Sequence, residues 1–383
     1  MIFNGVQKRL DEITIARAIA ITGVLLVHGF STGATTVEPS SIMFPIYNFL
    51  NTAGKWGTPT FIFLSSFILF YTYYNRKLDT KLVTNFYKKR LKFILVPYIF
   101  FSLFYFSIKW IFLDSFSYGD IWERLSFYLL WGKAHTHLYF VIISVQFYIL
   151  FPLFLWAMKK SALLRKYSIL IGLVIQWAYI FINRHYLQID FKGSIVFNYA
   201  TFYFMGAYIG IYYEQIKTKM REILSYRDKV VGIVFACYGI FLVVYVGYNY
   251  LTRMNAWIHV KKVLPEFIVI NFYEFSWGFY AIFAALMILI LSNYIANSKH
   301  ERFKQFLMNI GIMSFGIYLI HPLFLMVFRE VLFSGNSLLF HVFQFLTFIL
   351  VYVISYYLVY FTYRYIPFSW IVFGKSEVKY KFK

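Results

Sequence analysis

The chain alternates long apolar runs with short polar segments that are mostly basic. Ten such runs stand out, at about 13–33, 58–75, 91–112, 138–158, 167–183, 195–213, 230–250, 267–292, 309–328 and 339–362. A helix that crosses a bilayer needs ~20 apolar residues, whereas a barrel strand shows ~10 alternating ones. The runs are continuous, so the pattern predicts transmembrane helices. Between the third and fourth runs the stretch 114–135 carries Asp114, Asp120, Glu123 and Arg124. It then has an apolar piece, Leu125 to Trp131, too short to cross, which predicts an interfacial or re-entrant segment. Pro39, Pro45, Gly54, Gly57 and Pro59 punctuate the first loop and the start of the second run.

Composition strengthens this picture. Of 383 residues, 61% are hydrophobic and 14% charged, and the mean hydropathy is +0.63. The expectation is an all-α, polytopic membrane protein, a bundle of about ten spans forming a single domain over 1–383. Its core is 13–362, and 363–383 is a basic cytoplasmic tail. A net charge of +21 would suit nucleic acid. The basic residues, however, sit in the short segments between runs. With the N-terminus cytoplasmic, 26 of the 37 fall inside and 10 outside, leaving Arg17 within a run. That is the positive-inside bias of a membrane protein with both termini cytoplasmic. No nucleic-acid partner is expected. The single cysteine, Cys237, excludes an intramolecular disulfide and a multi-cysteine metal site. The first run carries Arg17 and lacks a clear small-residue cleavage site after it, so it reads as a span rather than a cleavable signal.

Candidate chemistry begins in that run, I-T-I-A-R-A-I-A-I-T-G-V-L-L-V-H-G-F from Ile13 to Phe30. A charge at mid-membrane costs at least ~2.5–3.5 kcal/mol, which makes intramembrane ionisable residues functional candidates. Arg17 and His28 are eleven positions apart. At ~100° per residue this is three turns plus about 20°, so both lie on one helix face, roughly 16 Å apart along the axis. Imidazole suits general-base work, and guanidinium binds phosphate or carboxylate through a fixed fork of donors. The alternative is structural: Arg17 snorkels to headgroups and His28 is a hydrogen-bonded bundle residue.

Other polar residues interrupt later runs. Ser65 and Ser66, in F-I-F-L-S-S-F, favour close helix packing over catalysis. Arg90 begins the third span amid Lys88, Lys89 and Lys92, where anionic-lipid binding and a substrate-phosphate role both fit. His135 and His137 start the fourth span, and residues two apart do not share a helix face, which argues against a metal pair. Glu274 lies within the eighth span and wants a partner. His321 precedes Pro322 in the ninth, where the proline frees a backbone carbonyl.

Taken in order, Arg17 with ten residues to His28, then F-I-F-L-S-S-F, K-R-L-K-F-I-L-V-P-Y, H-L-Y-F and S-F-G-I-Y-L-I-H-P resemble the signatures of acyltransferase family 3. These are bacterial integral-membrane enzymes that O-acylate surface polysaccharides, lipids and antibiotics. The resemblance implies a ten-span core in the cytoplasmic membrane. It also implies transfer of an acyl group, usually acetyl, from cytoplasmic acetyl-CoA or another acyl-CoA to a hydroxyl of an extracytoplasmic glycan or glycolipid, without a metal. By motif, His28 matches the essential histidine, Arg17 the essential arginine, Arg90 the arginine before P-Y, and Tyr318 and His321 the late Y-L-x-H. The expected catalytic set is His28, Arg17, Glu274 and His321. Arg17, Lys89 and Arg90 are expected to bind the donor, and His137, Tyr139 and Tyr318 the acceptor. The family's L-D-x-L-R has Thr14 at its aspartate, with Asp11 and Glu12 one turn earlier; L-S-G-F reads L-S-S-F, and H-L-W-F has Tyr139. Two rival classes stay open. One is a transporter or flippase for a lipid-linked glycan or small solute, and the other is an inactive sensor or scaffold.

Overall fold

The computed structural model describes residues 10–112, 121–331 and 337–375. Lys8, Arg9, Asp114, Asp120 and the tail beyond Lys375 lie outside the described residues. Among the described residues the secondary structure is helical, without strands. The chain forms α1 (Asp11–Gly29), α2 (Ser31–Thr36), α3 (Phe44–Ala53), α4 (Gly57–Tyr73) and α5 (Thr80–Arg90). A π-helical turn, Leu91–Leu95, leads into α6 (Val96–Phe112), followed by α7 (Ile121–Trp131), α8 (Tyr139–Lys160), α9 (Ala162–Lys166) and α10 (Ser168–Ile182). Then come α11 (Ala200–Glu222), α12 (Leu224–Arg253), α13 (Trp257–Lys261), α14 (Glu266–Ala296), α15 (Glu301–Glu330), α16 (Ser337–Tyr365) and α17 (Ser369–Phe373).

Seven stretches are long and apolar enough to cross a membrane: Asp11–Thr36, Thr80–Phe112, Tyr139–Lys160, Arg227–Arg253, Glu266–Ala296, Glu301–Glu330 and Leu338–Tyr365. They coincide with seven of the ten runs. The other three runs are helical as well, but α4 has 17 residues and α10 has 15. The 23-residue α11 turns polar at its end, with Lys217, Lys219, Arg221 and Glu222. The short apolar piece before the fourth run is α7, 11 residues long. Local chemistry sets several boundaries. The Asp79 carboxylate accepts from the Leu82 N–H at 2.8 Å and starts α5. Pro97 cannot donate an amide hydrogen bond, and the π turn lies just before it.

The chain divides into two compact units, Met1–Phe61 with Glu214–Tyr357, and Ile62–Tyr213 with Leu358–Lys383. In the first unit α1 packs against α15, α14 and α3. Ile15, Ala16, Ala18, Ala20 and Ile21 have no exposed surface. Together they cover every side of the helix, the signature of a helix buried all round. Small residues allow the approach: a Cβ on Gly311 of α15 would strike the Thr14 carbonyl oxygen. The acidic start of α1 is tied down by Lys217 to Glu12 at 2.9 Å and Lys304 to Asp11 at 3.8 Å. Carboxylates at a helix N-terminus also oppose its positive dipole end.

The second unit is built on α4, α8, α10 and α11. Ser66 of the L-S-S-F motif is buried and donates to the Tyr203 carbonyl at 2.6 Å. Tyr203 stacks on Phe147 at 3.8 Å between centroids. Ser168 of α10 donates to the Phe204 carbonyl at 2.9 Å. Ser66 therefore joins helices, in line with the packing role expected for it.

Gly311 and Gly278 make a paired test of the close approach, since a Cβ on Gly278 would meet nothing within 4 Å. Gly311→Ala is expected to lose ~1–3 kcal/mol by overpacking. Gly278→Ala is expected to gain ~0.5–1 kcal/mol from helix propensity. Thermal unfolding of the two variants in detergent, against wild type, checks both signs.

Candidate functional site

The first unit brings two of the expected histidines together. His28 is the penultimate residue of α1, and His321 lies wholly buried in α15. Their ring centroids are 5.4 Å apart, with planes tilted by 49°. His321 Nδ1 lies 3.0 Å from the Ile317 carbonyl. A carbonyl only accepts, so Nδ1 carries a hydrogen and the ring's tautomer and orientation are set. Tyr318, one turn before, is buried with its ring 6.0 Å from that of His321. Pro322 follows directly and removes the amide that would bond the Tyr318 carbonyl.

What aims His28 is the treatment of the end of α1. The last carbonyls of a helix lack partners within it and need others, most of all away from water. Three neighbouring side chains from three elements take three consecutive carbonyls. Asn51 of α3 donates to Val27 O at 2.7 Å. Arg329 of α15 donates to His28 O at 2.9 Å and to Ser31 Oγ at 2.8 Å. Gln344 of α16 donates to Gly29 O. The Ser31 hydroxyl also donates to His28 O at 2.9 Å. The Arg329 charge lies at the negative end of the α1 dipole, where a cation is favourable. Sequence reading missed Asn51 and Gln344 and counted Arg329 only toward topology. An amide at position 344 inside an apolar run was the available signal.

Arg17 is half-buried on α1, toward the opposite end from His28. Glu274 is buried on α14, which packs against α1. The acids one turn before the expected aspartate position, Asp11 and Glu12, serve the ion pairs described above.

The second unit sorts its basic cluster. Lys88 and Lys89 are exposed, whereas Arg90 is half-buried with its guanidinium carbon 4.8 Å from the Tyr148 ring and 5.4 Å from the Phe86 ring. Two such cation–π contacts, to rings set nearly at right angles, hold the guanidinium in place. The π turn begins at the next residue. Lys92 instead sits over Trp370 at 4.4 Å.

His135 and His137 lie in the turn before α8, not on the helix. Helix-face geometry therefore does not govern them. Their Nδ1 atoms are 2.9 Å apart, and the Tyr105 ring packs on both at 4.6 and 5.3 Å. Among the described residues no group of three or more His, Cys, Asp or Glu gathers as metal ligands would. Tyr139, the first residue of α8, is half-buried. Gly132 lies against it with φ +67°, where a Cβ would come within 2.7 Å of Tyr139 Cα. Only glycine meets both demands without strain.

Residues 10–362 match the acyltransferase domain family. The chain belongs to acyltransferase family 3. Membership indicates acyltransferase activity in a multi-pass membrane protein, which agrees with the seven long apolar helices. Among curated relatives, a probable poly-beta-1,6-N-acetyl-D-glucosamine export protein of Staphylococcus aureus (strain MSSA476) is 24% identical over 327 residues, 82% of each chain. The protein of that name from Staphylococcus epidermidis is 25% identical over 336 residues, covering 83% of this chain and 82% of its own. No solved structure matches the chain.

The donors to α1 are testable without assuming a reaction. Gln344→Leu strands the buried Gly29 carbonyl and is expected to lose ~1–3 kcal/mol of stability. It should also shift the His28 ring resonances in a histidine-labelled sample. Unchanged resonances with lowered stability would detach Gln344 from the aim of His28.

Proposed function

We propose that the protein transfers an acyl group from a cytoplasmic acyl-CoA, acetyl-CoA foremost, to a hydroxyl of an extracytoplasmic polysaccharide. The observation that carries this reading is the His28–His321 pair, 5.4 Å between centroids, on family signature motifs. The names of the staphylococcal relatives point to a β-1,6-linked N-acetylglucosamine polymer as the acceptor class.

In this mechanism His28 is the general base. It takes the acceptor hydroxyl proton as the oxygen attacks the thioester carbonyl. The C–O bond forms, the C–S bond breaks, and the proton passes to the departing sulfur. A two-step route, with the acyl group carried briefly on the imidazole, uses the same residue. His321 and Glu274 orient His28 or stabilise developing charge. Arg17 holds donor phosphate by its fork of donors. In the second unit Arg90, clamped on Tyr148, is assigned to phosphate recognition, with Lys89 contributing charge from its exposed position. Tyr318, His137 and Tyr139 are assigned to the acceptor.

A second reading is export of the polymer itself, favoured by the names of the staphylococcal relatives. The two separate in liposomes. Labelled acetyl-CoA is supplied on one side and oligomeric N-acetylglucosamine on the other, with wild type, His28→Ala and Arg17→Ala. Acyl transfer predicts label on the sugar with wild type and a loss of ~100-fold or more with His28→Ala. Full activity in His28→Ala would remove that residue from the mechanism. Sugar crossing the membrane with no CoA ester consumed would establish export instead.

A further inference from the structure

A second polar cluster lies where α3 meets α12, in the same unit as His28. Arg253, the last residue of α12, donates Nη1 to Asn48 Oδ1 at 2.9 Å and Nη2 to Asn51 Oδ1 at 2.6 Å. Lys55, in the turn after α3, reaches Asn249 Oδ1 at 3.5 Å and lies 5.9 Å from the centre of the Tyr245 ring. The three asparagines are 1%, 5% and 9% exposed for Asn48, Asn51 and Asn249. Their amide nitrogens are engaged on the carbonyls of Val246, Val27 and Tyr245. The cluster is therefore a rigid cradle of amides around two cations.

The charges do not balance. Every acceptor just named is neutral, and neither Lys55 nor Arg253 forms an ion pair among the described residues. Half-buried charges with only neutral partners are costly, and two of one sign in one cradle repel. Burial and the neighbouring Arg253 charge lower the Lys55 ammonium to about 8. An arginine offers five N–H donors and a lysine three. The bonds above use two of the first and one of the second, leaving donors for a ligand oxygen. Both cations also sit at the carbonyl ends of their helices, a favourable placement in itself. Capping accounts for one cation at each of the two helix ends, and it leaves the remaining N–H donors of both side chains open.

We propose that Lys55 and Arg253 form an oxyanion-binding site for a carboxylate or a phosphate group. The anion accepts charge-assisted hydrogen bonds from both side chains. Asn51 ties the site to α1, because it accepts from Arg253 and donates to Val27 O, the residue before His28. A bound anion therefore stiffens the chain of contacts that ends at the His28 backbone. The ligand is a free or substrate-borne oxyanion, or the phosphate of a lipid headgroup. The inference does not rest on acyl transfer.

The test uses the full chain in uncharged detergent. Inorganic phosphate and succinate are titrated at constant ionic strength against chloride, reading the shift in melting temperature. A ligand that binds only the folded state raises that temperature saturably. Wild type and Lys299→Gln, an exposed control outside the cluster, are expected to respond. Lys55→Gln and Arg253→Gln should each lose apparent affinity about tenfold or more. The titratable or charged groups around Lys55 are Arg253 and Tyr245 of α12, with Tyr273 and Tyr280 of α14 behind Tyr245. The wild-type response should fade as pH rises through about 8 and Lys55 loses its proton. A parallel arm compares vesicles of phosphatidylcholine with vesicles containing phosphatidylglycerol. A response confined to phosphatidylglycerol and lost in both variants assigns the site to lipid headgroups. Equal responses of wild type and Lys55→Gln in every arm would overturn the proposal. Arg253→Gln breaks two bonds to buried asparagines and can lower folding yield. Lys55→Gln breaks one long bond, and its result decides by itself.

Discussion

The first unit depends on one requirement: the carbonyl end of α1 has to find donors outside its own helix. Helix ends leave such groups open, and an apolar surrounding raises the penalty for leaving them so. Asn51, Arg329 and Gln344 meet the requirement at Val27, His28 and Gly29. Each comes from a different helix, so the bonds also stitch α3, α15 and α16 to α1. The backbone that carries His28 is thereby held, and α15 delivers His321 beside its ring. Glycine 311 makes this possible further along the same pair of helices, because α15 can approach α1 only where no Cβ intervenes.

The second unit shows selection among like charges. Four basic residues fall within Lys88–Lys92. Only the Arg90 side chain is folded over Tyr148 and Phe86, while Lys88 and Lys89 face outward and Lys92 turns to Trp370. A planar, weakly hydrated guanidinium suits an aromatic surface better than an ammonium does. The π turn after Arg90 is the type of helix irregularity that recurs at functional sites. His135 and His137 show the same dependence on local geometry. In a helix they would diverge, but in the turn their Nδ1 atoms come within 2.9 Å.

Much of the fold was legible in the chain. Hydropathy located helices at all ten runs, because a membrane leaves a chain little choice but to bond its backbone internally. The short piece before the fourth run was read correctly as too short to cross. Length and polarity then distinguish seven of the helices from α4, α10 and α11, whose ends fall short or turn polar. Arg17, His28, Glu274 and His321 stood out as ionisable residues in apolar runs. The residues that hold the end of α1 did not, since asparagine and glutamine carry no charge and Arg329 looked like one more loop cation.

The sequence by itself determined the helical class, the membrane setting, the family and which ionisable residues interrupt the apolar runs. All of these follow from local properties: apolar length, charge, and the spacing of a few side chains along one helix. Only the tertiary structure decided that His28 meets His321, that Arg329 donates to the His28 carbonyl, and that Lys55 and Arg253 share one amide cradle. These are contacts between residues hundreds of positions apart. They are set by how helices pack, through small residues and unsatisfied backbone groups, and neither leaves a periodic mark in the chain.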